Sequence, residues 1–274
     1  LGASIYQETA LQEIFKVKGR PSFDPLIVHV SSISQAKDLV KEWPILAEKL
    51  ATAFWPGALT LILPRSEKIS LTITAGRETV GIRFPSHPLM RSIIEKLGAP
   101  IAAPSANRFK RTSPTQVSHV RDEFPDANFA IVDGGPSWVG IESTIARIEN
   151  DRIEILRPGM ISIREIESAT KVSATLLASD EALGLAPVTL KEHYQTKKPL
   201  YALSSQETPM LLTEKSHFEI QLPEDPFEAA RVLYSRMREA DLSSSEILIV
   251  RKLPHHSGPH WDAIWDRLSR ASKT

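Results

Sequence analysis

The sequence predicts an α/β protein: a twisted, mixed open sheet with helices, followed by a linker and a smaller α/β domain. Three observations carry this reading. Short β-branched runs alternate with helical stretches between Pro25 and Ile148, the alternation that builds a sheet with helices packed on it. Asn150-Asp151 lies between Ile148 and Ile153 as a hairpin turn does, so the sheet is mixed. After Arg157-Pro158-Gly159 the pattern weakens, and a β/α series resumes beyond Lys198. The expected domains are therefore 1–168, a linker over 169–198, and 199–274.

Taken in order, Thr9 to Lys18 sets Leu11, Ile14 and Phe15 at helical spacing, and Gly19-Arg20-Pro21 stops that helix because proline cannot continue it. Pro25 to Val30 reads as a strand. A helical pattern then starts at Ser34 and resumes from Pro44 to Phe54, where Trp55-Pro56-Gly57 breaks it. Further strands are expected at Leu59–Leu63, Thr79–Phe84, Pro100–Ala103, Phe129–Val132 and Thr144–Ile148, with helices at Pro88–Leu97 and Pro114–Phe124 between them. From about Val172 to Lys198 no periodicity is sustained. The final unit comprises a strand at Leu200–Leu203, a helix at Phe227–Ala240, a strand at Ile247–Val250 and a helix at Trp261–Ala271.

Composition excludes several functions. Lys and Arg number 33 against 33 Asp and Glu, so the chain has no general attraction for nucleic acid or anionic lipid, and any anion site must come from local placement. With no cysteine there is no disulfide, thiolate nucleophile or Cys-based metal centre. The apolar runs Ala58–Leu63 and Ala99–Pro104 are far shorter than the roughly 20 residues of a membrane span, so none is expected. The chain opens on Leu1 without a signal-like segment, and its start is expected to be truncated. Neither a Gly-x-x-x-x-Gly-Lys-[Ser/Thr] loop nor a Gly-x-Gly-x-x-Gly fingerprint occurs.

Four segments combine a fixed backbone with polar groups. Lys18-Gly19-Arg20-Pro21 puts two cations at a rigid turn where both can face one anion, and reads equally as a solvated helix end. Pro104-Ser105-Ala106-Asn107 follows an apolar run, either as hydrogen-bonding groups at a sheet edge or as an ordinary turn. Asp133-Gly134-Gly135-Pro136 and Gly140-Ile141-Glu142-Ser143-Thr144 offer amides and two hydroxyls toward an anion. Arg157-Pro158-Gly159 holds a cation at a strand end and on its own reads as a surface arginine. A lone strand histidine such as His29 reads as structural, and His255, His256 and His260 read as a solvated loop because no carboxylate spacing accompanies them.

Together and in this order, Lys18-Gly19-Arg20-Pro21, Pro25-Leu26-Ile27-Val28-His29, Trp55-Pro56-Gly57 with Leu59-Thr60, Val80-Gly81-Ile82-Arg83-Phe84-Pro85, Pro104-Ser105-Ala106-Asn107, Ser143-Thr144-Ile145 and Arg157-Pro158-Gly159 resemble the YrdC family. The resemblance covers about residues 1–168 and implies a YrdC-like sheet there. His193-Tyr194 and the closing Arg267-Leu268-Ser269-Arg270-Ala271 resemble the family's long form, which implies a linker and a small Rossmann-like domain. Two departures stand out. Only the tail of the family's Pro-Thr-Glu-Thr-x-Tyr-Gly-Leu-Gly-Ala segment is present, as Leu1-Gly2-Ala3, and Ala186-Pro187-Val188-Thr189 replaces the Pro-Gly-Met that often precedes His-Tyr.

The activity this resemblance implies is nucleotidyl transfer. L-threonine, bicarbonate and ATP become L-threonylcarbamoyladenylate and pyrophosphate, for tRNA threonylcarbamoyladenosine beside the anticodon. Mg2+ would arrive with ATP and need no dedicated protein cage. ATP or adenylate binding falls to Lys18, Arg20, Asp24, Ser105, Asn107, Ser113, Thr115, Arg157 and Tyr194, the last as a lid, and threonine binding to His29, Arg83, Ser143 and Thr144. Lys18 and Arg20 matter most, with no covalent catalyst required. The setting is cytoplasmic, and the product feeds a downstream tRNA threonylcarbamoyl transferase machinery. The alternative is a double-stranded RNA or nucleotide-binding module without catalysis, with Arg108, Lys110 and Arg111 as an RNA contact; the neutral balance speaks against it. The hydrogenase-maturation carbamoyltransferases that share this domain need zinc-finger cysteines, which are missing here.

Overall fold

The computed structural model describes residues 1–182 and 192–273, so Ala186-Pro187-Val188-Thr189 lie outside the described residues. In chain order the elements are β1 (Ala3–Ser4), α1 (Glu8–Lys18), β2 (Ile27–His29), α2 (Ile33–Lys37), α3 (Ile45–Phe54), β3 (Leu59–Pro64), α4 (Leu71–Thr74), β4 (Thr79–Arg83), α5 (Pro88–Leu97), β5 (Ile101–Ala102), α6 (Val117–Glu123), β6 (Thr144–Glu149), β7 (Arg152–Arg157), α7 (Ile163–Thr170), β8 (Ala174–Leu176), α8 (Ser179–Ala182), β9 (Leu200–Ser204), α9 (Leu211–Glu214), β10 (His217–Glu219), α10 (Pro226–Asp241), β11 (Ile247–Lys252) and α11 (Pro259–Ala271). They fall into two compact units, Leu1–Arg108 with Glu142–Leu190 and Phe109–Ile141 with Lys191–Thr274.

The first unit is built on an eight-stranded sheet in the order β1-β5-β2-β4-β3-β6-β7-β8. It is mixed: β2/β4, β3/β6 and β7/β8 run parallel, and the other pairs antiparallel. The β6–β7 hairpin turns at Asn150 and Asp151, both with positive φ (50° and 56°), as a two-residue primed turn requires. Leu59, Leu61 and Leu63 of β3 are fully buried in the aliphatic core. Helix α1 stops where Gly19 adopts φ 63° and its N–H closes on Lys16 O, which leaves Lys18 and Arg20 flanking the turn. A capping box of Ser162 and Glu165 starts α7.

Strand register decides which side chains share a face. His29 of β2 lies beside Arg83 of β4, Thr60 of β3 beside Ile145 of β6, and Ile145 beside Arg157 of β7. The antiparallel β3–β4 pairing, Leu61 with Ile82, carried one step further sets Thr60 opposite Arg83. One row across five strands therefore reads His29, Arg83, Thr60, Ile145, Arg157. An irregularity at Ile145/Ala146 gives β7 an extra residue, and Leu156 joins Ile62 and Ile145 in a buried apolar cluster beside that row.

The second unit has an all-parallel three-stranded sheet, β10-β11-β9, with α10 and α11. Asp225 caps α10 by accepting the Glu228 N–H at 2.8 Å, one residue before Pro226. Two expectations are corrected. Phe129–Val132 is not a strand: without a partner ladder its β-branched residues stay outside the sheet, and Phe129 packs edge-on against Phe124 at 5.7 Å. The stretch expected as an irregular linker from Val172 contains β8, which pairs with β7 and is too short to show periodicity in sequence. Phe109–Ile141 also groups with the C-terminal segment rather than with the residues on either side of it. Among the described residues no helix is long and apolar enough to cross a membrane.

Candidate active site

Lys18 is almost wholly buried, contrary to the habit of lysine. Its ammonium reaches Ser105 O at 2.8 Å, Asn107 O at 2.7 Å, Asn107 Oδ1 at 3.1 Å and Ser105 Oγ at 3.3 Å. Three N–H donors thus face four acceptors of the 105–107 turn. The structure brings together the Lys18, Ser105 and Asn107 singled out in sequence, but as a cation that pins a loop. Arg20 is held at the next turn: Nε donates to Asp24 O at 3.0 Å and Nη2 to Pro25 O at 2.6 Å. Asp24 Oδ2 lies 2.9 Å from Arg20 Nη2, an ion pair by distance that lacks hydrogen-bond alignment. Burial lowers the Arg20 pKa, Asp24 opposes that, and Arg157 lowers it again.

Along the sheet row, Arg83 Nε donates to Gly57 O at 2.9 Å and Arg157 Nε to Ser143 O at 3.1 Å. Burial, then the neighbouring Arg157, pushes the Arg83 guanidinium down to about 10. Arg157 is thus close enough to lower the pKa of both Arg20 and Arg83. His29 is held down to about 3 by burial and then by Arg83, so it is neutral at physiological pH, and its Nδ1 is buried without a hydrogen-bond partner. Arg157 Nη2 reaches Ser143 Oγ at 3.2 Å, and Ser143 Oγ lies 2.8 Å from Thr60 Oγ1. Thr144 is spent elsewhere. Its hydroxyl donates to Ile161 O at 2.7 Å and accepts the Ile161 N–H at 3.2 Å, fixing the turn after β7.

The remaining expected residues belong to the second unit. Ser113 is buried, and Thr115 Oγ1 lies 2.9 Å from Ser235 Oγ, while the Thr115 N–H donates to His119 Nδ1 at 3.2 Å. Burial first, then Arg238, lowers the His119 pKa. Tyr194 is fully buried at φ 63°, stacked on Tyr234 at 5.5 Å and beneath the Arg267 guanidinium at 5.7 Å. At Gly140 a Cβ would fall 2.1 Å from Ala230 O, so this glycine admits close packing on α10. Lys110, expected within a basic cluster, pairs with Glu192 at 3.4 Å.

A family profile named for Sua5, YciO and YrdC and described as telomere recombination matches residues 1–159. The chain belongs to this family. A profile for the threonylcarbamoyl-AMP synthase C-terminal domain matches residues 161–273 of this Sua5/YciO/YrdC member. Threonylcarbamoyl-AMP synthases of Bacillus subtilis and Pyrococcus abyssi are 47% and 45% identical to it over 61% of its length, which is 49% of theirs. The chain thus spans about half the length of the curated relatives it matches. The crystal structure of P. abyssi Sua5 complexed with L-threonine is similar over 99% of this chain and 86% of that one, with TM-score 0.88 and 32% identity. A P. abyssi Sua5 variant gives TM-score 0.90 at 31% identity with the same coverage.

Sequence reading named Gly57 and Thr60 only within the family resemblance and gave them no role; in the structure the Gly57 carbonyl anchors Arg83 and Thr60 touches Ser143. Thr60 did carry a signal, as a hydroxyl inside the apolar run Leu59–Leu63. Among the described residues no three His, Asp or Glu side chains gather as a metal cage, and Asp24 is engaged by Arg20.

Proposed function

We propose that this chain makes L-threonylcarbamoyladenylate and pyrophosphate from L-threonine, bicarbonate and Mg2+-bound ATP. One observation carries the reading. Arg83 and Arg157 share one row of the sheet, and Arg157 lies close enough to Arg20 and to Arg83 to lower the pKa of each, in a chain whose total charge is zero. Like charges gathered in a desolvated place are costly unless an anion joins them, and a triphosphate or a carboxylate is such an anion. The P. abyssi relative, similar over 99% of this chain, was crystallised with L-threonine, which supports that amino acid as a substrate.

In this reading the threonine amine attacks carbon dioxide derived from bicarbonate, forming the N–C bond and releasing a proton. A carbamate oxygen then attacks the α-phosphorus, and the bond from that phosphorus to pyrophosphate breaks. Arg83 pairs with the threonine carboxylate, and neutral His29 offers a hydrogen bond through Nδ1. Arg157 and Ser143 face the reacting oxygens. Arg20, held by Asp24, neutralises phosphate charge, while Lys18 acts through the Ser105–Asn107 turn. Thr144 supports Ser143 by fixing the turn after β7. Positioning and charge neutralisation supply the rate. The product is a reactive mixed anhydride, so a cytoplasmic tRNA-modifying transferase must consume it.

The test is pyrophosphate release by the full-length protein with ATP, Mg2+, bicarbonate and L-threonine. Release that requires both threonine and bicarbonate is the expected result. Release independent of threonine, or none together with binding of double-stranded RNA, overturns the proposal.

A further inference from the structure

Thr60 is fully buried in the middle of the aliphatic strand β3, where a hydroxyl is costly unless it is hydrogen-bonded. Its Oγ1 meets one partner, Ser143 Oγ, at 2.8 Å. Ser143 Oγ also receives the Arg157 Nη2–H at 3.2 Å, and a guanidinium can only donate. Either hydroxyl of this pair can be the donor, and within the protein one of the two protons is left over whichever way the bond runs. When Thr60 donates, Ser143 Oγ accepts twice, from Thr60 and from Arg157, which fills both of its lone pairs. The Ser143 O–H is then left for an acceptor outside the described residues, and a ligand oxygen that takes it selects this direction. The methyl side of Thr60 is fixed as well: a Cβ on Gly81 would sit 3.4 Å from Thr60 Cγ2, so the bare glycine of β4 accommodates that methyl and holds the rotamer.

We propose that Thr60 is a positioning residue: by donating to Ser143 Oγ it commits the Ser143 O–H to an acceptor on the ligand, an anionic oxygen of the threonine-derived substrate. The inference rests on the reading of Ser143 as a threonine-side contact given above. Arg83 lies in the same row, opposite Thr60, and supplies the charge that draws such an oxygen there. In Thr60→Val the shape is kept and the donor lost, so Ser143 can turn its proton between its own lone-pair sites instead of presenting it.

The test compares Thr60→Val, Thr60→Ser and Ser143→Ala in full-length protein, by calorimetric titration with L-threonine and by steady-state pyrophosphate release. The expected result is L-threonine binding about tenfold weaker in Thr60→Val, the factor that one hydrogen bond of about 1.4 kcal/mol sets. The KM for ATP stays unchanged and Thr60→Ser is close to the parent, a pattern that a purely structural threonine does not produce. Weakened binding in Ser143→Ala with parental binding in Thr60→Val overturns the proposal. Parental binding in Ser143→Ala instead overturns the reading of Ser143 on which it rests. Should Thr60→Val not yield folded protein, Thr60→Ser decides alone: tenfold weaker binding there, with the donor intact, refutes the role.

Discussion

Replacing Lys18 by Met tests whether its ammonium is a loop pin. The two shortest contacts, 2.7 Å to Asn107 O and 2.8 Å to Ser105 O, are charge-assisted bonds to backbone carbonyls. Losing each leaves an acceptor without its charged donor, at about 1.5–3 kcal/mol apiece. Removing a buried ammonium returns part of this, because the charge need no longer be desolvated. A net loss of about 3 kcal/mol is expected. At about 2–4 °C per kcal/mol for a unit of this size, the melting temperature should fall by about 6–12 °C. Thermal unfolding followed by circular dichroism, with pyrophosphate release measured well below the transition, reads both consequences. Activity should drop as well, since Ser105 and Asn107 lose their position. A melting temperature within about 2 °C of the parent, with activity abolished, would refute the pin and return Lys18 to direct phosphate contact.

Other expectations follow from the same geometry. Gly140→Ala combines a positive-φ penalty with a collision against Ala230 O and should cost about 2–4 kcal/mol in urea unfolding, whereas Gly135→Ala, at φ 78° with open space around it, should cost about 1 kcal/mol; equal losses would show that the α10 contact is immaterial. His29 is neutral in the fold down to about pH 3 but titrates near 6.5 when unfolded, so the unfolded chain takes up the proton first: the stability is fully present above pH 6.5 and is lost toward pH 3, at up to about 1.4 kcal/mol per pH unit. His29→Gln should flatten that limb, and an unchanged acid limb would refute the assignment. His256 accepts the Leu253 N–H on Nδ1 and stacks on Trp261 at 3.9 Å, with its pKa lowered by burial, then by His255 and Lys252. Tryptophan emission should therefore change only below pH 6.5, and a His256→Gln variant that keeps the same transition would exclude this histidine as its source.

What the sequence made legible is what local pattern encodes. The hairpin at Asn150-Asp151, the stop at Gly19 and the parallel unit after Leu200 all rest on residues adjacent in the chain. Lys18, Arg20, Ser105, Asn107, Ser143 and Arg157 were gathered into a set by the family resemblance, since each segment alone also reads as a helix end, an ordinary turn or a surface arginine. The roles within it were less legible. A lysine reads as a solvated charge, and nothing near Lys18 announces acceptors 87 and 89 residues away. Ser143-Thr144 reads as a pair of equivalent hydroxyls, yet Ser143 joins Arg157 whereas Thr144 closes on Ile161. Gly140 reads as loop freedom, although what demands it is the backbone of a helix some ninety residues on. Strand β8 is three residues long, too few for a period to emerge.

The three arginines are anchored in the same way. Each donates its Nε to a backbone carbonyl: Arg20 to Asp24, Arg83 to Gly57, Arg157 to Ser143. A carbonyl fixes the plane of a guanidinium without cancelling its charge. Arg20 also has a carboxylate beside it, with Asp24 Oδ2 2.9 Å from its Nη2. Gly57 precedes β3, Ser143 precedes β6, and the register that aligns these strand ends also aligns Arg83 with Arg157. The same sheet geometry thus supplies both the anchors and the repulsion. In the proposed function, an anion arriving beside Arg157 would relieve the repulsion that this residue exerts on Arg20 and Arg83, without a charged body or a phosphate-binding loop motif.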